Sequence, residues 1–171
     1  MNLGFYMPTK VIVGKDCVRE NSNVFQIGKK ALIVTGKNSA KLSGALDDVE
    51  YALEKNNIEY VIFDKVMSNP TVECVYDGAE TAMEEEVDFV IAIGGGSPMD
   101  CCKAACAIAR GTDNIEPYHN GDKPVTAEEA IPMIAFATTA GTASEVTNIS
   151  VLTNVAAGVK KPMNHPAMYP K

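Results

Sequence analysis

The run Ile93-Gly94-Gly95-Gly96-Ser97-Pro98-Met99-Asp100 leaves an apolar stretch and opens a helical one. Its glycines permit positive φ and let a ligand come close to the backbone. Ser97 is the residue type of a helix N-cap, Pro98 of a first helical residue, and Asp100 of the acid that completes a capping box. A helix start of this kind aims unpaired N–H groups and a partial positive charge at the loop, which suits a pyrophosphate. A plain capped strand-to-helix turn would explain part of the pattern, but three successive glycines exceed what a cap needs. The run is not the usual G-x-G-x-x-G fingerprint, because Met99 stands where its last glycine belongs.

Two further loops offer related chemistry. Thr138-Thr139-Ala140-Gly141-Thr142-Ala143-Ser144-Glu145 follows another apolar stretch. Thr142 and Glu145 have capping-box spacing, and the hydroxyls of Thr138, Thr139 and Thr142, with Ser144 in the same run, are donors for phosphate or ribose oxygens. Threonine-rich turns are common singly; two donor loops after strands of one sheet favour a shared ligand. The third loop is Thr35-Gly36-Lys37-Asn38-Ser39-Ala40-Lys41. Dinucleotide enzymes often place an acid in such a loop to hold the adenosine ribose. Gly36 removes that acid, and Lys37, Ser39 and Lys41 supply charge and donors that would welcome a 2′-phosphate. Solvated surface lysines are the ordinary alternative.

The elements that must position these loops follow from hydrophobic periodicity. Lys30–Thr35, Glu59–Phe63 and Val90–Ile93 read as strands, with Ile131–Ala137 and Ile149–Thr153 as later ones. Between them Leu42, Ala45, Leu46, Val49, Ala52 and Leu53 recur at helical spacing, as do Val72, Val75, Ala79, Ala82 and Met83, and Met99–Arg110 reads as a third helix. Strand and helix in alternation predict an α/β fold, a mainly parallel sheet with helices on both faces. Tyr6–Gly14 is expected to add an edge strand, since Pro8 suits an edge. Asp113–Ala130 reads as a surface connection with a short helix at its end. Gly158–Lys171, with Pro162, Pro166 and Pro170, reads as a connection that stops short of its next element.

The chain has 171 residues, 46% hydrophobic and 22% charged, which suits one packed domain over residues 1–171. Its net charge of −7 argues against nucleic-acid or membrane-surface partners, which favour basic patches. No apolar run approaches the roughly 20 residues of a membrane helix, so a cytoplasmic location is expected. The five cysteines then read as reduced thiols. Cys102 and Cys106 have an i, i+4 spacing that can bind metal, although small buried side chains explain them better. Glu84-Glu85-Glu86 reads as a solvated helix end.

In combination, Gly-Gly-Gly-Ser-Pro-Met-Asp with Lys103, and Thr-Thr-Ala-Gly-Thr-Ala-Ser-Glu-Val-Thr, resemble the iron-containing (group III) alcohol dehydrogenases. Phe5–Gly14 and Lys30–Thr35 resemble that family's opening strand and first dinucleotide strand. The resemblance implies a Rossmann-like, dehydroquinate-synthase-like domain that binds NAD(P)(H). It implies interconversion of a small alcohol with an aldehyde or ketone, a divalent metal such as iron polarising the substrate oxygen. Gly94, Gly95, Gly96 and Ser97 would meet the pyrophosphate, with Asp100 near the nicotinamide. Thr138, Thr139, Thr142 and Ser144 would lie along the phosphates and adenosine side. Val151 would touch the cofactor and Lys160 would reach a ribose hydroxyl from a hairpin. An i, i+3 ion pair with Asp100 accounts for Lys103.

The stretch Gly36-Lys37-Asn38-Ser39, with Lys41, is similar to members that use NADP(H), so NADP(H) is expected over NAD(H). The family's metal ligands, an Asp and three His on an all-helical second domain, would fall beyond Lys171. His119 and His165 match none of them, and His165 is expected to be exposed. No residue here has a claim to acid or base catalysis or to a metal, and the isolated chain is expected to be inactive. A longer form is expected to be a homo-oligomer. The alternatives are a non-catalytic nucleotide-binding module or split subunit, and a related polyol or sugar-phosphate dehydrogenase. If a helical domain normally covers the cleft, its absence exposes apolar surface and the chain self-associates. Sedimentation at rising concentration should then show species heavier than a monomer; a clean monomer at high concentration would remove the expectation.

Overall fold

The computed structural model describes residues 4, 6–110, 116–120, 122–124, 126 and 130–171. A short helix α1 (Cys17–Glu20) and a 3-10 turn precede strand β1 (Lys30–Gly36). Helices α2 (Ser39–Leu42) and α3 (Ala45–Lys55) lead to β2 (Glu59–Val66). Helix α4 (Val72–Glu84), strand β3 (Phe89–Gly94) and helix α5 (Gly96–Ile108) follow. Then come α6 (Glu116–Asn120), β4 (Met133–Ala137), β5 (Ile149–Asn154) and β6 (Val159–Asn164).

Strands β1 to β4 form a parallel sheet in the order β2-β1-β3-β4. Apolar residues fill β1 and β3 because both faces are covered, as parallel sheets require. Leu32, Val34, Val90 and Ala92 pack with α4 and α5 on one face. Ala31, Ile33, Phe89, Ile91 and Ile93 point to the other, where Leu46, Val49, Ala52 and Leu53 of α3 close the core. Phe25 stacks on Phe136 at a centroid distance of 5.6 Å at its margin. The chain steps outward from β1 to β2, then back across β1 to β3, so the direction of winding reverses between β1 and β3. In open α/β sheets the crevice at such a reversal, outside the carboxyl ends of the strands, is where ligands sit.

The parallel sheet with helices on both faces is as the sequence predicts; several elements differ. Leu42 is 86% exposed rather than buried, because Gly44 at φ 75° ends one helix and starts another, breaking the helical repeat. Met83 lies in the last turn of α4 and is also exposed. Strand β5 does not join the parallel sheet. It forms an antiparallel hairpin with β6, which occupies part of the stretch expected to be a bare connection. Thr153 N–H donates to Pro70 O at 3.0 Å and ties the hairpin to the loop after β2.

Residues 6–13 pair with no strand among the described residues. Pro8 lacks an N–H, Thr9 Oγ1 donates to Pro170 O at 2.8 Å, and Lys171 N–H donates to Met133 O at the start of β4. A groove of about 650 Å³ separates this segment from β4, lined by Val11, Ile12, Val24, Ile134 and Phe136 among others. Phe5 and much of Asp113–Ala130 lie outside the described residues; the helix found there, α6, precedes the end of that segment, and its Tyr118 and His119 are buried.

Truncating Ile33 to Ala, at the centre of the sheet, should cost roughly 2–5 kcal/mol in urea unfolding. Val13→Ala, at an exposed position, should change stability by less than about 0.5 kcal/mol. Equal effects would contradict the placement of the core.

Candidate functional site

The carboxyl ends of β1, β2 and β3 open onto a cleft of about 260 Å³ lined by Gly36, Ser39, Val66, Met67, Ser68, Gly95, Gly96, Ser97 and Pro98. Thr35 Oγ1 donates to Ile93 O at 2.9 Å and holds the ends of β1 and β3 together beneath it. Gly94 has φ 152°, and a Cβ there would lie 2.6 Å from Pro98 Cγ, so the turn out of β3 requires glycine. The threonine loop closes on the next two residues: a Cβ on Gly95 would come within 3.0 Å of Thr139 Oγ1, and one on Gly96 within 3.1 Å of Thr142 Cγ2. Thr138 N–H donates to Gly94 O at 2.9 Å. The sheet thus brings the glycine and threonine loops into contact.

Helix α5 begins at Gly96 with Gly95 at its N-cap, so Ser97 is not the cap and the expected box with Asp100 does not form. Small flexible residues let the helix start earlier, which releases both side chains for longer-range work. Ser97 Oγ accepts from Asn69 N–H at 3.3 Å. Asp100 Oδ1 accepts from Ser144 Oγ at 2.9 Å, and Asp100 O accepts from Ser150 Oγ at 2.7 Å. The second expected box is also replaced. Ala143 is left-handed at φ 54° and caps a 3-10 turn (Ser144–Val146), while Thr142 Oγ1 accepts from Ser144 N–H at 3.3 Å without Glu145.

Lys103 departs furthest from expectation. It is fully buried, and its Nζ donates to Ser144 Oγ at 2.8 Å, Ile149 O at 2.9 Å and Thr147 Oγ1 at 3.2 Å. It reaches Asp100 through Ser144 rather than by the direct ion pair that i, i+3 spacing suggested. Burial lowers the Lys103 ammonium to about 8 even though Asp100, Cys102 and Glu145 pull it upward. Burial likewise raises the Asp100 carboxyl, against hydrogen bonds from Ser144 and the Val151 backbone and the charges of Lys103 and Lys160.

The loop after β2 was not singled out by sequence reasoning, although its Ser68-Asn69-Pro70-Thr71 run carries a turn signal and a helix cap. Asn69 is left-handed at φ 56°, and its Oδ1 accepts from Lys160 Nζ at 2.7 Å. Lys160, on β6, is therefore linked through Asn69 to Ser97, which lines the cleft. Val151 lies on β5 next to Ser150. Ser39 lines the cleft; Asn38 and Lys41 are exposed on the same turn without lining it.

A model of the iron-containing alcohol dehydrogenase family matches residues 8–171. This chain belongs to that family. It is 33% identical over 180 residues to NADH-dependent butanol dehydrogenase A of Clostridium acetobutylicum, covering all of this chain and 44% of that one. It is 34% identical over 162 residues to NADPH-dependent butanol dehydrogenase of Clostridium saccharobutylicum, covering 93% and 41%. A crystal structure of NADH-dependent butanol dehydrogenase A from Thermotoga maritima superposes with a TM-score of 0.92 at 31% identity, over 99% of this chain and 43% of that one. The chain spans less than half the length of these relatives.

Iron is the metal in the family's name, yet among the described residues no group of three or more His, Cys, Asp or Glu could hold a metal ion. His119 is buried with Nε2 at 3.2 Å from Lys161 O. His165 is partly buried rather than exposed, because its Nδ1 accepts from Ala167 N–H and caps a 3-10 turn. The Cys102 and Cys106 sulfurs are 3.9 Å apart in the core. No helix of the described residues is long and apolar enough to cross a membrane.

The depressed Lys103 gives a pH signature. Unfolded, the ammonium keeps its proton to about 10.4; folded, it loses it from about 8. Between those values the unfolded chain binds more protons, so this residue's contribution to stability rises with pH. Subtracting the urea-unfolding profile of Lys103→Met from that of the parent should leave a gain on the order of 2–3 kcal/mol from pH 8 to 10. A flat difference would show that the ammonium is solvated.

Proposed function

We propose that the chain binds a nicotinamide dinucleotide across the cleft between β1 and β3. It prefers NADP(H) to NAD(H) and serves as the cofactor-binding α/β domain, spanning residues 1–171, of an oxidoreductase interconverting an alcohol with an aldehyde or ketone. The observation that carries this reading is a single cleft in which Gly36 and Ser39 face the Gly95-Gly96-Ser97 start of α5. The unpaired N–H groups of that start suit a pyrophosphate. Glycines there leave the space that side chains would fill, and the Thr139 and Thr142 side chains stand behind them; Thr138 lines the groove beside β4 instead.

Gly36 carries the preference. A Cβ there would lie 3.3 Å from Val66 O, so an aspartate fits with a small adjustment and would set its charge in the cleft. Without it, Ser39 with Asn38 and Lys41 on the same turn offer donors and a cation to a 2′-phosphate. Lys160 would exchange Asn69 for a ribose hydroxyl, and Asp100 with Val151 would border the nicotinamide. The bound cofactor supplies the hydride; the protein fixes its position and surroundings. No described residue is assigned to a metal.

Calorimetric titration with NADPH and NADH tests the reading. NADPH should bind more tightly, and Gly36→Asp should weaken NADPH by about tenfold or more, equivalent to about 1.4 kcal/mol, while affecting NADH less. Tighter NADH binding by the parent would overturn the preference. Absence of binding by both would overturn the autonomous site.

A further inference from the structure

Four of the five cysteines form two close pairs, and only one pair is reachable from solvent. Cys74 is in the first turn of α4, where its N–H donates to the Thr71 cap at 3.3 Å, and its side chain is partly exposed. Cys101 lies fully buried on α5, its sulfur 3.8 Å from that of Cys74. A disulfide needs about 2.05 Å between sulfurs, a closure of side-chain scale between two helices already packed together. Cys102 and Cys106 are as close at 3.9 Å, but both are buried on one rigid helix.

We propose that Cys74 and Cys101 are an oxidative modification site, a nucleophilic and a resolving thiol that hydrogen peroxide converts to a disulfide joining α4 to α5. The Cys74 thiolate attacks one peroxide oxygen; the S–O bond forms, the O–O bond breaks, and hydroxide leaves to be protonated to water. The Cys101 sulfur then gives up its proton and attacks the Cys74 sulfur. The S–S bond forms, the S–O bond breaks, and the departing hydroxide takes a proton as a second water. Two thiols lose two electrons and one peroxide gains them.

The two sulfurs are suited to different roles. The Cys101 hydrogen bond, with a smaller pull from Lys65, holds the Cys74 thiol below the ordinary cysteine range, against its partial burial and the charge of Asp77. A helix N-terminus favours a thiolate in the same sense. Contact with Cys74 and burial push the Cys101 thiol well up, so it waits as the protonated partner. Cys101 lies on α5 three residues beyond Pro98, which lines the cleft, so the disulfide would tie the first turns of that helix to α4. The proposal does not rest on the dehydrogenase reading.

The purified full chain is treated with a small excess of hydrogen peroxide, denatured, and its free thiols counted, with peptide mapping by mass spectrometry. Five free thiols should fall to three, with one Cys74–Cys101 cross-link that dithiothreitol reverses. Cys101→Ala should leave a Cys74 sulfenic acid that dimedone traps. Combined replacement of Cys102 and Cys106 by Ala should leave the cross-link intact. Five thiols retained, a Cys102–Cys106 cross-link, or Cys74 oxidised beyond the sulfenic acid without cross-linking would each overturn the proposal. Mapping of the parent decides the matter even if a variant fails to fold.

Discussion

A buried ammonium organises the later part of this chain. Removing a charge from water is costly unless hydrogen bonds replace its hydration. Lys103 finds them in Ser144, Thr147 and Ile149, more than forty residues further along the chain. Meeting that demand fixes the end of the threonine loop and the start of β5 against α5. Ser144 passes the tie on to the Asp100 carboxylate, and Ser150 adds a bond to the Asp100 carbonyl. A hairpin that shares no strand pairing with the parallel sheet is thereby anchored to the helix rising from it.

The helix itself supports that role. From Pro98 to Ile108 nearly every residue of α5 is buried, and alanine and cysteine dominate. Small side chains let it approach β3, α4 and the hairpin together. Opposite it, Gly78 of α4 leaves just the space in which a Cβ would touch Ala105 and Phe63 at 3.7 Å. The glycine loop therefore stands on a post that has little freedom to move.

The sheet was legible because strands buried on both faces leave unbroken apolar runs, as in Phe89–Gly94. The glycine-rich run after β3 marked the cleft locally as well, while the threonine loop packs behind it without lining it. What escaped depended on partners far away in sequence. By periodicity Ile149–Thr153 looks like a sheet strand; the hairpin it forms with the lysine- and proline-bearing β6 was implied by the family resemblance and not by its own pattern. Ser97 and Asp100 have ideal cap spacing, yet Asn69, Ser144 and Ser150 compete for them successfully. Lys103 has ideal ion-pair spacing and is claimed instead by a distant loop. Leu42 keeps the helical period by coincidence, since Gly44 resets the phase.

The cleft is lined by Gly36, Ser39, Gly95, Gly96 and Ser97, none with a formal charge, in a chain of net charge −7. Any pull of this lining on an anion would come from oriented N–H and O–H dipoles and a helix end, fields that act over a few ångströms. The long-range field of the chain has the opposite sign and slows the approach of anions at low ionic strength. Added salt screens that repulsion first, because the Debye length is about 10 Å at 0.1 M, while contacts at the cleft wall remain. For the dinucleotide proposed above, salt would therefore speed arrival more than it shortens the stay, the reverse of what a basic pocket does.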